Sequence, residues 1–321
     1  MNVKLRHNTM MRLIFGSILF IGIPGLLFLA AWPIVGWRWA LAMPALIWSV
    51  VIYGFFFGWR HIVVRAATCR SGLLPPAFEG YRVLQLSDIH IGTFLRNRGF
   101  IDKLVDVVNA QHPDLVVFTG DLVNVSADEL IPFQHALRQI HAPDGVFSIM
   151  GNHDYCEYGS DKSLRNVARN RHVLQYLEEK MGWQLLLNEN VTIARGDGEA
   201  IALIGVENSS RPPFPDYGDL PRAMTGLPGG MFKILLSHDP SHWRREVLGK
   251  TDIALTLSGH THAGQLRIGK FSPARWAYNE WGGKYIENGA MLHVSLGVGG
   301  TVPFRLGAWP EVNVITLKRK E

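Results

Sequence analysis

A stretch of 47 residues carrying a single charge dominates the N-terminal part of this chain. From Leu13 to Trp59 it reads LIFGSILFIGIPGLLFLAAWPIVGW, then Arg38, then WALAMPALIWSVVIYGFFFGW. Each half supplies the roughly 20 apolar residues that a helix needs to cross a hydrocarbon core. A cleaved signal peptide has an apolar region of only about 7–15 residues, and here a second run follows the first at once. A buried core hairpin is the other option. The expectation is two transmembrane helices, about 13–36 and 39–59, joined by a tight turn and together occupying residues 1–65. Trp32, Trp37, Trp39 and Trp59 suit the interfacial belt of such a hairpin. Lys4, Arg6 and Arg12 precede it, Arg60, Arg65 and Arg70 follow it, and Arg38 alone lies in the turn. The positive-inside bias then puts both ends, and everything after Arg60, in the cytoplasm. The expected location is the cytoplasmic (inner) membrane, multi-pass, with the soluble part on its cytoplasmic face.

The formal net charge is +5, but no Lys/Arg-rich run marks a nucleic-acid patch. No nucleic-acid partner is expected, and anionic lipid headgroups account for the flanking arginines. Cys69 and Cys156 stand in no paired spacing and read as free thiols, Cys156 as a small residue beginning a helix.

Residues 66–80, rich in proline and glycine toward their end, are expected as a linker or an edge segment, and 81–321 as one domain. Short apolar runs recur there: YRVLQLSD, DLVVFTGD, GVFSIMGNHD, WQLLLN, AIALIGVE, FKILLSHDP, IALTLSGHTH, MLHVSLG and VNVITLK. The first three lead into helical patterns, FIDKLVDVVNAQ, ADELIPFQHALRQIH and KSLRNVARNRHVLQYLEEKM. Continuous apolar runs alternating with helices argue for an α/β fold whose strands are buried on both faces.

Polar residues gather at the carboxyl ends of these strands: Asp88 and His90, Asp121, Asn152 with His153 and Asp154, His238, then His260 and His262. In an α/β sheet those ends line a common crevice. Carboxylate oxygen, neutral imidazole and amide carbonyl are all ligands for divalent transition metals. Two aspartates, one asparagine and four histidines suffice for two ions about 3.5–4 Å apart sharing a bridging carboxylate, an arrangement competent in displacement at phosphorus. The lack of cysteine ligands argues against a structural zinc knot. Any one of these residues alone would be an ordinary cap or surface residue. Their joint occurrence in order, with glycine before HTH allowing close backbone approach, is what carries the metal reading.

SDIH, GDLVN, GNHD, SHDP and GHTH together resemble the five blocks of the calcineurin-like metallophosphoesterases, over about Tyr81 to Leu317. The similarity is greatest to a bacterial membrane-associated subgroup of YkuE- and YaeI-like phosphoesterases, whose C-terminal block GGTVPFRLGAWPEVNVITL resembles. The resemblance implies a four-layer α-β-β-α sandwich behind the transmembrane hairpin. It implies two divalent metal ions, manganese foremost, with iron, zinc and magnesium as alternatives. Asp88, His90 and His262 would hold the first ion, Asn152, His238 and His260 the second, and Asp121 would bridge them. His153 would stay off the metals and act as general acid, with Asp154 orienting its ring. Asn124 differs from the acidic residue many relatives carry there, and Val125 from the basic residue that often follows; Asn124 is expected as a helix N-cap. His293 is expected as a sheet residue, with lining of the site as the alternative.

The implied activity is hydrolysis of a phosphodiester or pyrophosphate by a membrane-anchored enzyme. An aromatic-rich C-terminal third (Trp243, Phe271, Trp276, Tyr278, Trp281, Tyr285, Phe304, Trp309) reads mostly as packing, or as an apolar rim suited to a lipid-linked phosphoester. One membrane-associated branch of the wider family hydrolyses UDP-2,3-diacylglucosamine in lipid A synthesis. The alternatives are a general phosphodiesterase or phosphatase acting on soluble substrates, and a weakly active membrane scaffold that keeps its metals for folding. A scaffold has no need of His153 and Asp154. A nuclease fits the fold but lacks a basic, aromatic-interleaved groove.

Overall fold

The computed structural model of the chain describes residues 13–159, 161–196 and 198–320; Lys4, Arg6 and Arg12 lie outside them. Leu13–Val35 and Trp37–Arg60 form two antiparallel helices, long and apolar enough to cross a membrane. The turn between them is made at Gly36, whose φ of 78° falls in the left-handed region that favours glycine. Most of the hairpin's large side chains face outward, including Ile21, Leu26, Leu29 and Ile34. An exposed apolar surface of this extent marks a membrane or partner interaction, and the alternative of a buried core hairpin does not hold.

The remainder is built on two six-stranded sheets. In the first, β1 (Val63–Ser71), β2 (Arg82–Leu86), β3 (Leu115–Phe118), β4 (Val146–Ser148), β5 (Trp183–Leu185) and β12 (Glu311–Arg319) run in the order β1-β12-β2-β3-β4-β5. In the second, β6 (Glu189–Arg195), β7 (Glu199–Gly205), β8 (Lys233–Leu236), β9 (Leu255–Ser258), β10 (Gly283–Glu287) and β11 (Ala290–Val294) run in the order β10-β11-β9-β8-β7-β6. The inner pairs β2-β3-β4-β5 and β7-β8-β9-β11 are parallel, so their carboxyl ends share an edge.

Side chains alternate across each strand, and this builds three apolar layers. Val83, Leu115 and Val117 meet Ile201, Leu203, Ile234, Leu236 and Leu257 between the sheets. Leu84, Leu86, Val116 and Phe118 face outward under helices Gly99–Asn109 and Leu164–Met181, which contribute Leu104, Val108, Leu174 and Leu177. Ile204, Leu235 and Leu292 pack outward against Leu220, Trp243 and Val247. The result is the α-β-β-α sandwich.

Several segments depart from expectation. Residues 63–71, expected in part as a linker or edge segment, form edge strand β1, parallel to β12 in a nine-residue register from Val63–Glu311 to Ser71–Arg319. The run ADELIPFQHALRQIH is not one helix: Pro132 offers no N–H, and a 3-10 segment Ala127–Phe133 gives way to one α-turn, Gln134–Leu137. Cys156 begins no helix; it is buried in a turn at φ 61°. Trp59 packs on Phe94 and Phe100, at 5.8 and 5.9 Å between ring centroids, and so joins the hairpin's end to the core of the first sheet.

The hairpin also packs on the domain. Phe304 lies edge-on to Phe15 at 5.4 Å, contacts Phe55 at 5.0 Å and shares a cluster with Val51 and Val302. Gly54 admits this, because a Cβ there would strike the Phe304 ring.

Candidate metal centre

The strand ends of β2, β3, β4, β8 and β9 bring Asp88, His90, Asp121, Asn152, His238, His260 and His262 into one crevice. Five of the seven (Asp88, His90, Asp121, His260 and His262) have φ between 48° and 71°. Backbone strain of this kind, at non-glycine residues, is the sort held at functional sites by surrounding structure. Close approach of the two sheets makes the crevice: a Cβ at Gly259 would collide with Ser87 Oγ and Asp88 Oδ2.

The donor atoms fall into two groups. In one, His262 Nε2 lies 3.2 Å from His90 Nε2 and 3.3 Å from Asp88 Oδ1, and His90 Nε2 lies 3.5 Å from Asp121 Oδ2. In the other, His238 Nε2 is 3.3 Å from Asp121 Oδ2 and 3.3 Å from His260 Nδ1, which is 2.8 Å from Asn152 Oδ1. Donors around a cation at about 2.0–2.2 Å stand roughly 2.8–3.5 Å apart, so both groups fit a small divalent ion. Asp121 Oδ2 belongs to both.

Neighbouring bonds orient these donors, as partners of metal ligands do. His238 Nδ1–H donates to the Thr119 carbonyl at 2.7 Å, which leaves Nε2 as the ligand atom. His260 is set the other way, its Nε2–H meeting the Tyr278 hydroxyl at 2.6 Å. Asn152 Nδ2 donates to Tyr158 Oη at 2.9 Å and turns its carbonyl inward. Burial pushes His90 down to about 3 and His260 to about 4, so both present lone pairs. His238 differs: burial would lower it, but Asp121 outweighs that and pushes it up to about 10. Asp121, despite burial, is held well below the carboxylate range by His238 and His153. The pair marks the place where the site most favours positive charge.

His153 belongs to neither donor group. Its Nδ1–H donates to the Asn124 carbonyl at 2.8 Å, and its ring lies on Tyr158 at 4.3 Å and edge-on to His90 at 4.7 Å. Asp154 does not orient that ring. Its carboxylate accepts four backbone N–H groups, from Asp121 (2.8 Å), Leu122 (2.9 Å), Val123 (3.1 Å) and Gly151 (2.9 Å), and so ties the β3 loop to the β4 loop. Asn124 caps no helix either; its side chain donates to Thr93 Oγ1 while its carbonyl holds His153. His293 sits between the sheets, 3.0 Å from Gln85 Oε1, and does not line the crevice.

Asp154→Ala should therefore act on stability. Four buried donors would lose their acceptor, at about 1–3 kcal/mol for an unsatisfied buried group, and the thermal midpoint should fall with metal content. An unchanged midpoint with only turnover lost would return Asp154 to a catalytic role.

Two features of the site escaped the sequence. Arg305 is buried, donates to the carbonyls of Leu296, Ala308 and Gly299, and lies 3.1 Å from His262 Nδ1. Its only signal was a lone charge in an apolar, glycine-flanked run. Phe214 stands edge-on to His260 at 4.9 Å. Of the C-terminal aromatics, Tyr278 lines the cavity over the donors, a space of about 270 Å³. Trp243 is core, Phe304 packs on the hairpin, and Trp309 meets Tyr53 and His61.

A two-metal centre of aspartates and histidines at the joined edges of two mixed sheets defines a class, and the family comparison agrees. Residues 81–264 match the model of the calcineurin-like phosphoesterases, and the chain belongs to that family. It is accordingly a metal-dependent phosphoester hydrolase. Among relatives, the metallophosphoesterase YkuE of Bacillus subtilis is 32% identical over 268 residues, covering 78% of this chain and 84% of YkuE. A bovine (Bos taurus) transmembrane protein with metallophosphoesterase domain is 33% identical over 256 residues, 76% of this chain but 54% of that protein, so this chain spans about half its length. A solved structure, TT1561 of Thermus thermophilus, covers 68% of this chain and 90% of its own with 14% identity and a TM-score of 0.42.

Proposed function

We propose that this chain is anchored by its hairpin with the catalytic domain on the cytoplasmic face of the membrane, and hydrolyses a phosphodiester or pyrophosphate bond of a lipid-linked substrate. The observation that carries the hydrolytic part is the single oxygen, Asp121 Oδ2, shared by two donor groups. Asp88, His90 and His262 hold one ion, Asn152, His238 and His260 the other, and Asp121 bridges. The mixed oxygen and imidazole donors suit manganese, with iron, zinc or magnesium as alternatives. When bound, such ions supply positive charge to the phosphoryl oxygens and make water a nucleophile near neutral pH. His153, held by Asn124 through Nδ1, directs Nε2 toward the cavity and gives a proton to the leaving oxygen. With Asp154 engaged by backbone amides, His153 alone now argues against a scaffold without catalysis.

The cavity over the donors, about 270 Å³ and lined mostly by polar side chains, suits the phosphoryl head of a substrate. In this reading the lipid tail stays in the bilayer and only the head reaches the metals; UDP-2,3-diacylglucosamine is one substrate of that form. The test compares kcat/KM for one phosphodiester head presented in vesicles and as a soluble short-chain ester. A preference of tenfold or more for the membrane form is expected. Equal values would remove the lipid substrate and leave a general phosphodiesterase. Orientation is tested separately by a C-terminal reporter, which should read as cytoplasmic.

A further inference from the structure

The loop 266–277, which joins Gln265 to Tyr278 beside the metal centre, carries large apolar side chains into solvent. Ile268 is 65% exposed, Phe271 37% and Trp276 77%. Isolated exposed hydrophobics need no explanation, but three on one short loop form a patch. The loop is also built: Ile268 and Phe271 exchange backbone bonds at 2.9 and 3.0 Å, Phe271 stands edge-on to Trp276 at 5.7 Å, and Ser272 Oγ ties back to the Ala263 carbonyl. Its ionisable residues are Arg267, Lys270 and Arg275, with no Asp or Glu.

This loop is continuous with the hairpin's packing surface. Arg267 N–H donates to the Leu306 carbonyl at 2.8 Å, and Leu306 N–H to the Gln265 carbonyl at 3.1 Å. Leu306 and Phe304 in turn pack in the cluster with Val51 and Phe55 of the second hairpin helix. The residues flanking the loop, Gln265 and Tyr278, line the cavity over the metal donors. An apolar tip bearing cations, fixed against a membrane helix, has the composition of a segment that lies in the headgroup layer.

We propose that the loop 266–277 seats in the interfacial layer of the bilayer that holds the hairpin, with Ile268, Phe271 and Trp276 among the acyl-chain ends and Lys270 and Arg275 on anionic lipid phosphates. The mouth of the metal centre thereby opens at the membrane surface. This rests on the reading that the hairpin spans the bilayer, and it is tested without activity. The full chain carries Trp276→Cys, labelled with an environment-sensitive fluorophore, in mixed phosphatidylcholine–phosphatidylglycerol vesicles; Cys69 and Cys156 are buried and escape labelling. Two references are Leu29→Cys in the hairpin and Leu73→Cys beyond the far end of β1, a strand that carries the chain roughly 30 Å. Lipids spin-labelled near the headgroup should quench the 276 probe severalfold more than the 73 probe, and deeply labelled lipids should quench the 29 probe. If the 29 probe is quenched while the 276 probe behaves like the 73 probe, the loop proposal is overturned and the membrane hairpin stands. If neither is quenched, both fall. A 276 probe shielded from aqueous iodide yet untouched by labelled lipid would indicate a protein contact, and overturns the proposal as well.

Discussion

Asp121→Asn should leave the chain folded, strip at least one metal from the centre and lower kcat/KM by about 10³ or more, the upper scale for losing one electrostatic stabiliser. One oxygen of Asp121 faces His90 Nε2 at 3.5 Å and His238 Nε2 at 3.3 Å, so a single substitution weakens both donor groups. A neutral amide there leaves two cations opposed with less charge between them. It also removes the carboxylate that pushes His238 up to about 10. The other oxygen accepts the His153 backbone N–H at 2.8 Å, a bond that an amide oxygen still makes, so the β4 loop should hold its place. Metal analysis after gel filtration, alongside turnover, decides the matter. Two equivalents per chain with normal turnover would take Asp121 out of the bridge.

His153→Asn should do the opposite with the metals. His153 contributes no atom to either donor group, so metal content should match that of the unaltered chain. Turnover should fall by roughly two to four orders of magnitude, the usual range for a general acid or base. The loss should be smaller for substrates with a good leaving group, which needs no proton. Equal losses for good and poor leaving groups would show that His153 binds substrate and transfers no proton.

Apart from edge strand β5, read as WQLLLN, the strands that the sequence made visible are those buried on both faces. Edge strands β6 and β10 passed unread, and β1 was read only in part, as a linker or edge segment, because an edge needs apolar side chains on one face at most, and VVRAATCRS or GKYIE looks much like a loop. The seven donors and His153 were legible for a related reason: each ends a readable strand, and parallel strands deliver their carboxyl ends to one crevice. Asp154, Asn124 and Arg305 were not. Asp154 binds amide protons and Asn124 acts through its carbonyl, and backbone partners leave no trace in residue type. Arg305 reaches His262 only because the C-terminal loop folds back between the hairpin and the sheets.

Only His61 and Ile62 separate the last turn of the hairpin, Gly58–Arg60, from β1. Two extended residues reach at most about 7 Å, and β1 is locked along its length to β12. The catalytic domain is thus mounted as a turret without a swivel. It cannot lean away from the hairpin or sweep an area around it. Under the proposed lipid-linked substrate, encounter frequency would depend on lateral traffic in the plane of the lipid, and lengthening the 61–62 junction with a flexible insert would exchange that fixed aim for reach.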